Sequence, residues 1–313
     1  MVKQVMPMSY ENDLIVKIAW QYYVEGLTQN EISDNLNLSR MKVIKYLEKA
    51  KTNNVIQFKI NLSAMDNIHL QNQIKEMYNL KDIHIVPASS HDVVNSITVA
   101  AAQYIEDRIT SDTMISIGYG EAVSRTLANL QISAKYKVTF VSLSGGVKFY
   151  MPTAIAPRSD YYTNPNYSHY IIPTPLLVAN EELANQLKEE NSVKRILEMI
   201  PYSNMTVIGI GALHDRATLI REGYMGKNDF EILKMKGAVG DLLSQFYDID
   251  GNVLDLPFHR RQISTPIEFL KSLNNVIAVA GGLEKKEAIR GALKGGYIDV
   301  LITDEQVAKS LME

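Results

Sequence analysis

The sequence predicts an α/β protein: a helical N-terminal unit joined to a larger domain built on a mainly parallel sheet. Three observations predict it. Between residues 14 and 51 the apolar residues recur at helical spacing. From Ile83 onward, short β-branched runs alternate with helical stretches, as in a parallel sheet covered on both faces. The chain has 313 residues, 46% of them apolar, enough to bury a substantial core.

The N-terminal elements follow in order. Leu14, Ile15, Ile18, Ala19, Tyr22 and Tyr23 mark one face of a helix that Gly26 closes, because glycine tolerates the left-handed conformation a C-cap requires. Thr28-Gln29-Asn30-Glu31 reads as a capping box opening a second helix that runs to about Leu36. Asn37-Leu38 is the turn, and Ser39 caps a third helix. Val43, Leu47 and Ala50 should pack on Ile32 and Leu36, leaving Met41, Lys42, Lys45 and Lys49 outside. This is a helix-turn-helix whose last helix carries the cations, the arrangement that enters a DNA major groove. Ser39, Arg40, Met41 and Lys42 are the expected base readers, and Lys45 and Lys49 the expected phosphate contacts. Thr28 and Gln29, at the start of the preceding helix, complete the expected DNA-facing set. Val55 to Leu62 alternates like a strand and would form a short wing.

Charge agrees with this reading. The whole chain carries −3, which excludes a basic nucleic-acid coat. Between residues 40 and 51, however, Arg40, Lys42, Lys45, Lys49 and Lys51 face a single anion, Glu48. A local basic patch on a mildly acidic protein suits site-specific DNA binding. There is no cysteine, which removes disulfides, thiolate nucleophiles and cysteine–zinc sites. No signal peptide is visible, and no apolar run approaches the ~20 residues that span a bilayer, so a cytoplasmic protein without membrane contact is expected.

The expected domains are 1–62 for DNA and 63–313 for an effector and for oligomerisation. Residues 63–80 form a helix-compatible connector with sparse apolar positions (Ile68, Ile74, Met77), a linker helix or a dimerisation helix. Strands are expected at Ile83–Val86, Met114–Ile117, Val138–Leu143, Tyr170–Ile172, Thr206–Ile210, Val276–Ala280 and Val300–Ile302, with helices such as Val93–Ile109 and Lys285–Leu293 between them. Asp250-Gly251 reads as a hairpin turn between Gln245–Tyr247 and Val253–Leu254.

Ligands of open parallel sheets bind beyond the C-terminal strand ends. Three loops there are rich in glycine: Gly118-Tyr119-Gly120-Glu121, Ser144-Gly145-Gly146-Val147 and Gly281-Gly282-Leu283-Glu284-Lys285. Glycines admit a ligand close to the backbone, helix starts favour anions, and Lys285 adds a cation. A phosphorylated small molecule is the expected ligand, although no nucleotide fingerprint is present. Asp241 would accept hydrogen bonds from ligand hydroxyls or else cap a helix, and Thr303 or Asp304 caps the last helix. The six histidines are scattered and join no glycine loop, and no catalytic residue, metal or cofactor is expected.

Several of these stretches together resemble the SorC family of bacterial sugar-responsive transcriptional regulators. They are Ile18-Ala19-Trp20-Gln21-Tyr22-Tyr23, Gly26-Leu27-Thr28-Gln29, Ser144-Gly145-Gly146-Val147, Gly237-Ala238-Val239-Gly240-Asp241, Ala280-Gly281-Gly282 and Lys294-Gly295-Gly296-Tyr297-Ile298. Ile117-Gly118-Tyr119-Gly120-Glu121-Ala122 and Leu143 to Val147 are closest to the branch that governs autoinducer-2 uptake. The resemblance implies a winged-type helix-turn-helix and a sugar-binding domain similar to sugar-phosphate isomerases and deaminases, working as a sensor rather than an enzyme. It implies operator DNA and a phosphorylated effector as partners, either phosphorylated autoinducer-2 or a pentose, hexose or hexitol phosphate, and a dimer or tetramer. By position it places Gly118, Tyr119, Gly120, Glu121, Ser144, Gly145, Gly146, Val147, Asp241, Gly281, Gly282 and Lys285 around the effector. Ser144 stands where some deoxyribonucleoside-operon members have a lysine that captures an aldehyde sugar, so covalent capture is not expected there, although Lys148 is near. The alternative is a sugar-phosphate isomerase or deaminase with an appended DNA-binding domain.

Overall fold

A computed structural model describes residues 10–57, 65–87, 92–133, 135–150 and 164–313. The chain divides into two compact units, Met1–Leu62 and Ser63–Glu313.

The first unit holds α1 (Tyr10–Tyr23), α2 (Gln29–Leu36) and α3 (Arg40–Thr52). Local chemistry sets each boundary. Thr28 Oγ1 accepts from Glu31 N at 3.3 Å, and the Glu31 carboxylate accepts from Thr28 N at 2.7 Å, so the box satisfies two helix-end donors. Asn37 ends α2 in the left-handed region at φ 49°, and Ser39 accepts from Lys42 N to start α3. Ile15, Ile18, Ala19, Ile32, Val43, Tyr46, Leu47 and Ala50 form the core between the helices. α1 begins four residues before the apolar pattern does, because Glu11, Asn12 and Asp13 make an exposed first turn that periodicity cannot mark. Val55 and Ile56 form a bend and Gln57 is irregular, so this stretch is not strand. Residues 58–62 of the expected wing lie outside the described residues.

In the second unit the strands are β1 (Asp82–Val86), β2 (Thr113–Ile117), β3 (Val138–Ser142), β4 (Tyr167–Tyr170), β5 (Met205–Gly209), β6 (Gly211–Ala212), β7 (Gly240–Leu242), β8 (Gln245–Tyr247), β9 (Val276–Val279) and β10 (Val300–Asp304). The helices are α4 (Met65–Tyr78), α5 (Val93–Glu106), α6 (Glu121–Asn129), α7 (Glu181–Glu189), α8 (Asn191–Met199), α9 (Thr218–Arg221), α10 (Lys227–Met235), α11 (Pro257–Arg260), α12 (Lys286–Lys294) and α13 (Glu305–Leu311). Seven strands form one parallel sheet in the order β1-β10-β9-β5-β2-β3-β4, and β6-β7-β8 form a small antiparallel sheet. Side chains of successive strand residues point to opposite faces, and the two faces bury separate cores. Val276, Ala278 and Ala280 belong to one, Ile277 and Val279 to the other. Each such isoleucine or valine contributes roughly 1.5–3 kcal/mol by burial.

One strand expectation needs correction. β4 lies at Tyr167–Tyr170 rather than Tyr170–Ile172. It is an edge strand that alternates half-buried and exposed residues against β3, so the apolar pair Ile171-Ile172 marks where the chain turns into the core, not the strand. The connector is helical, as expected: in α4, Ile74 is fully buried in the sheet unit's core with Leu70 and Tyr78 against it. Ile68 and Met77 remain exposed.

The strand order positions the site. From β2 the chain proceeds to one side through β3 and β4, and from β5 to the other through β9 and β10. β2 and β5 are hydrogen-bonded neighbours. Their C-terminal loops therefore diverge and leave a crevice, the switch point of an open α/β sheet.

Candidate functional site: a charged cavity at the switch point

A cavity of about 180 Å³ opens in that crevice. The loop after β2 contributes Tyr119, Gly120 and Glu121, and the loop after β5 contributes Gly209, Ile210 and Gly211. The loop after β9 contributes Gly281, the turn before α12 gives Glu284 and Lys285, and the small sheet gives Asp241. His214, Arg216 and Thr218, from the segment after β6, close the remaining side.

The small sheet explains Asp241. β6 and β7 pair antiparallel with Gly211 opposite Asp241. A side chain on Gly211 would strike that carboxylate, since its Cβ would stand 1.9 Å from Oδ1. Asp241 Oδ2 accepts from Ser244 N at 3.2 Å. Burial pushes its carboxyl up to about 6, against the opposing pull of Lys285 and the Ser244 N–H. Lys285 donates to the Ile210 carbonyl at 2.9 Å, and burial holds its ammonium below the usual range, although Asp241, Glu284 and Glu121 favour the charged form. His214 Nδ1 accepts from Arg216 N at 3.1 Å, which puts the proton of the neutral ring on Nε2. Burial and then Lys285 lower its pKa.

Glu121 lies between two arginines, 2.8 Å from Arg125 and 2.7 Å from Arg221. Burial alone would raise its pKa; the hydrogen bonds from Arg221 and Arg125 outweigh that, and the carboxylate stays ionised below its ordinary value. Cations (Lys285, Arg216) and acceptors (Asp241, Glu284) thus meet in one small space, suited to a small ligand that is both anionic and hydroxylated.

Of the twelve residues expected around an effector, Tyr119, Gly120, Glu121, Asp241, Gly281 and Lys285 line this cavity, and six do not. The Ser144–Val147 loop does not line this cavity, and the N–H groups of its two glycines are taken up within the protein. Gly145 N donates to Ile263 O and Gly146 N to Thr174 O, each at 2.8 Å. A Cβ on Gly145 would meet Pro175 O at 2.5 Å, and one on Gly146 would meet the Tyr119 ring at 2.8 Å. The double glycine therefore lets this loop pack behind Tyr119. Ser144 is fully buried with its hydroxyl 2.8 Å from Tyr150, and Val147 points to solvent. Gly118 continues β2 against Ile208 and Leu243. Gly282 donates its N–H to Asp304, whose other oxygen caps α13. Lys148 pairs with Glu222 at 2.8 Å and does not line the cavity. The reading that no histidine joins a glycine loop is overturned by His214. Gly209-Ile210-Gly211 was the overlooked signal: a fourth glycine-bearing strand end, five residues before Asp215-Arg216 is complete.

On the helix-turn-helix unit, Thr28, Gln29 and Arg40 border one surface groove, and Met41 is 73% exposed. The Thr28 hydroxyl is committed to its capping box. Lys42 and Lys45 are exposed, whereas Lys49 pairs with Glu11 across the unit and leans on the Tyr46 ring.

A helix-turn-helix in one unit and, in the other, a small charged cavity at a sheet switch point are the parts of a ligand-sensing transcriptional regulator. Residues 63–313 match the family model Sugar-bind, described as "Putative sugar-binding domain". Transcriptional regulator LsrR of Escherichia coli K12 is 36% identical over 307 residues, 96% of this chain and 95% of that one. LsrR of Klebsiella pneumoniae is 34% identical over 96% and 93%. The crystal structure of the full-length sorbitol operon regulator SorC from Klebsiella pneumoniae superposes with a TM-score of 0.72 over 97% of this chain and 100% of that one, at 23% identity, a likeness of fold. The chain belongs to the SorC family of transcriptional regulators. Among the described residues no helix is long and apolar enough to cross a membrane.

Proposed function

We propose that this regulator is a cytoplasmic repressor, acting as a homo-oligomer, whose hold on operator DNA is weakened by a phosphorylated effector in the switch-point cavity. Phosphorylated autoinducer-2 is the effector that the family resemblance favours. The observation that carries the reading is the meeting of Lys285, His214 and Arg216 with Asp241 in a cavity of about 180 Å³, below the ~300–1,000 Å³ of pockets for drug-sized ligands. The cations suit a phosphate and Asp241 suits hydroxyls. Gly120, Glu121, Asp241, Gly281 and Lys285 are the ligand contacts in this reading. Arg40, Met41 and Lys42 read bases.

A thermal-shift panel tests it, because a ligand that binds only the folded state adds about 2.7 kcal/mol at a hundred times its Kd. A shift with phosphorylated autoinducer-2, absent with the unphosphorylated form, is the expected result. A shift only with a pentose, hexose or hexitol phosphate would make this a regulator of a carbohydrate operon. No shift with any phosphorylated compound would remove the cavity from the mechanism.

One observation favours an enzymatic second reading. Asp241, raised to about 6, shares the cavity with a lysine lowered by burial, an acid–base pair of the kind catalysis uses. Turnover of ribose-5-phosphate or glucosamine-6-phosphate above background would establish it.

A further inference from the structure

We propose that the outward face of α1 is a self-association surface on which two copies of this chain pair antiparallel. The inner face of α1, with Ile15, Ile18 and Ala19, is spent on the core of its own unit. The opposite face is also apolar. Tyr10 is 84%, Val16 41% and Trp20 56% exposed, and Val24, just past the helix, is 60% exposed. Positions 16, 20 and 24 recur every four residues, so they form one stripe along the helix. Asp13, Val16, Lys17, Trp20, Gln21 and Glu25 border a single groove there.

Charge identifies the occupant. Asp13 and Lys17 lie one turn apart on this face, where an aspartate and a lysine often pair. Among the described residues neither forms an ion pair, with each other or with a third group. A two-fold axis midway between them, with the helices antiparallel, sets Asp13 against Lys17 of the partner subunit at two symmetric places. The same axis brings Val16 near its own copy. Tyr10 and Trp20 are equidistant from the axis, so each Tyr10 meets Trp20 of the partner subunit. An isologous interface requires such a self-complementary patch. Exposed ion pairs contribute little affinity but set register; the aromatic and aliphatic stripe supplies the burial. Pairing at α1 also joins two recognition helices for two half-sites. This inference does not depend on the identity of the effector.

The chain has no cysteine and one tryptophan, which makes the test direct. In the full chain, Val16→Cys should cross-link to a dimer under mild oxidation or with a short bismaleimide. Met235→Cys, at an exposed position on α10, serves as the control and should not. Adding Asp13→Lys to Val16→Cys should lower the cross-link about tenfold by setting like charges opposite, and adding Lys17→Asp as well should restore it. Trp20 emission should lie at shorter wavelength in the associated protein and move red on dilution or in Asp13→Lys. Association elsewhere in the chain produces none of these signals. Cross-linking of Val16→Cys no better than Met235→Cys overturns the proposal. So does a charge swap that fails to restore the link, or Trp20 emission that is solvent-like and independent of concentration; that last outcome would leave the stripe to a different protein.

Discussion

Gly211 leaves the space that the Asp241 carboxylate occupies: opposite each other in the β6–β7 pair, they would collide if Gly211 had a Cβ. The backbone at β6 thus decides where one of the cavity's acidic side chains stands. Gly211→Ala should displace Asp241 and cost roughly 1–3 kcal/mol of stability, the usual penalty for overpacking. Urea denaturation would measure the loss. An effector-induced thermal shift should vanish with it, and a full shift in this variant would show that Asp241 need not hold its position.

Two buried groups give opposite pH dependences. The Asp241 carboxyl titrates near 6 in the folded chain against an ordinary 3.8, so the folded state holds its proton more tightly. Its contribution is fully present below the ordinary value and is lost as pH rises through about 6, on the order of 3 kcal/mol. His259 is the reverse case. Burial lowers it from 6.5 to about 4, while its Nε2 accepts from Phe246 N at 2.9 Å. Its contribution is complete above 6.5 and is lost as pH falls toward about 4, by a similar amount. In the wild type the two slopes offset between pH 4 and 6.5. Asp241→Asn should raise stability at pH 7.5 and unmask a loss toward acid; His259→Gln should unmask the opposite slope. Flat denaturation midpoints across this range in both variants would contradict the assignment.

Lys285 combines a structural bond with a charge the cavity needs. Lys285→Ala removes the donor to the Ile210 carbonyl and should cost about 1–3 kcal/mol. It should also abolish the shift given by a phosphorylated ligand. An unchanged shift would exclude Lys285 from ligand binding.

The two ends of the helix-turn-helix separate stability from DNA recognition. Thr28→Ala dismantles the capping box and should lower stability by about 1 kcal/mol. Arg40→Ala should leave stability and effector binding intact while weakening operator binding. If Arg40 contacts phosphate alone, the slope of log affinity against log salt should fall by about one unit and all sequences should weaken equally; loss of sequence preference would mark it as a base reader. Loss of effector binding as well would indicate misfolding instead.

The sequence by itself determined what depends on neighbours along the chain. The capping box at Thr28 and Glu31, the Asn37 turn, the Ser39 cap and the alternation that marks a parallel sheet are local. A few residues suffice to satisfy helix-end donors or to choose a period. Only the tertiary structure decided which glycine loops face the cavity. Gly120, Gly146 and Gly282 all have positive φ, and in sequence their loops look alike. Their roles diverge through partners far away in the chain: Thr174 and Ile263 consume the N–H groups at Gly145-Gly146, Asp304 takes the one at Gly282, and the β2–β5 neighbourhood opens the crevice at Gly120. His214 and Arg216 were illegible for the same reason. The nearby Gly209 and Gly211 mark a strand end but not what gathers there, because strand order brings these side chains to the cavity and strand order is a property of long-range packing.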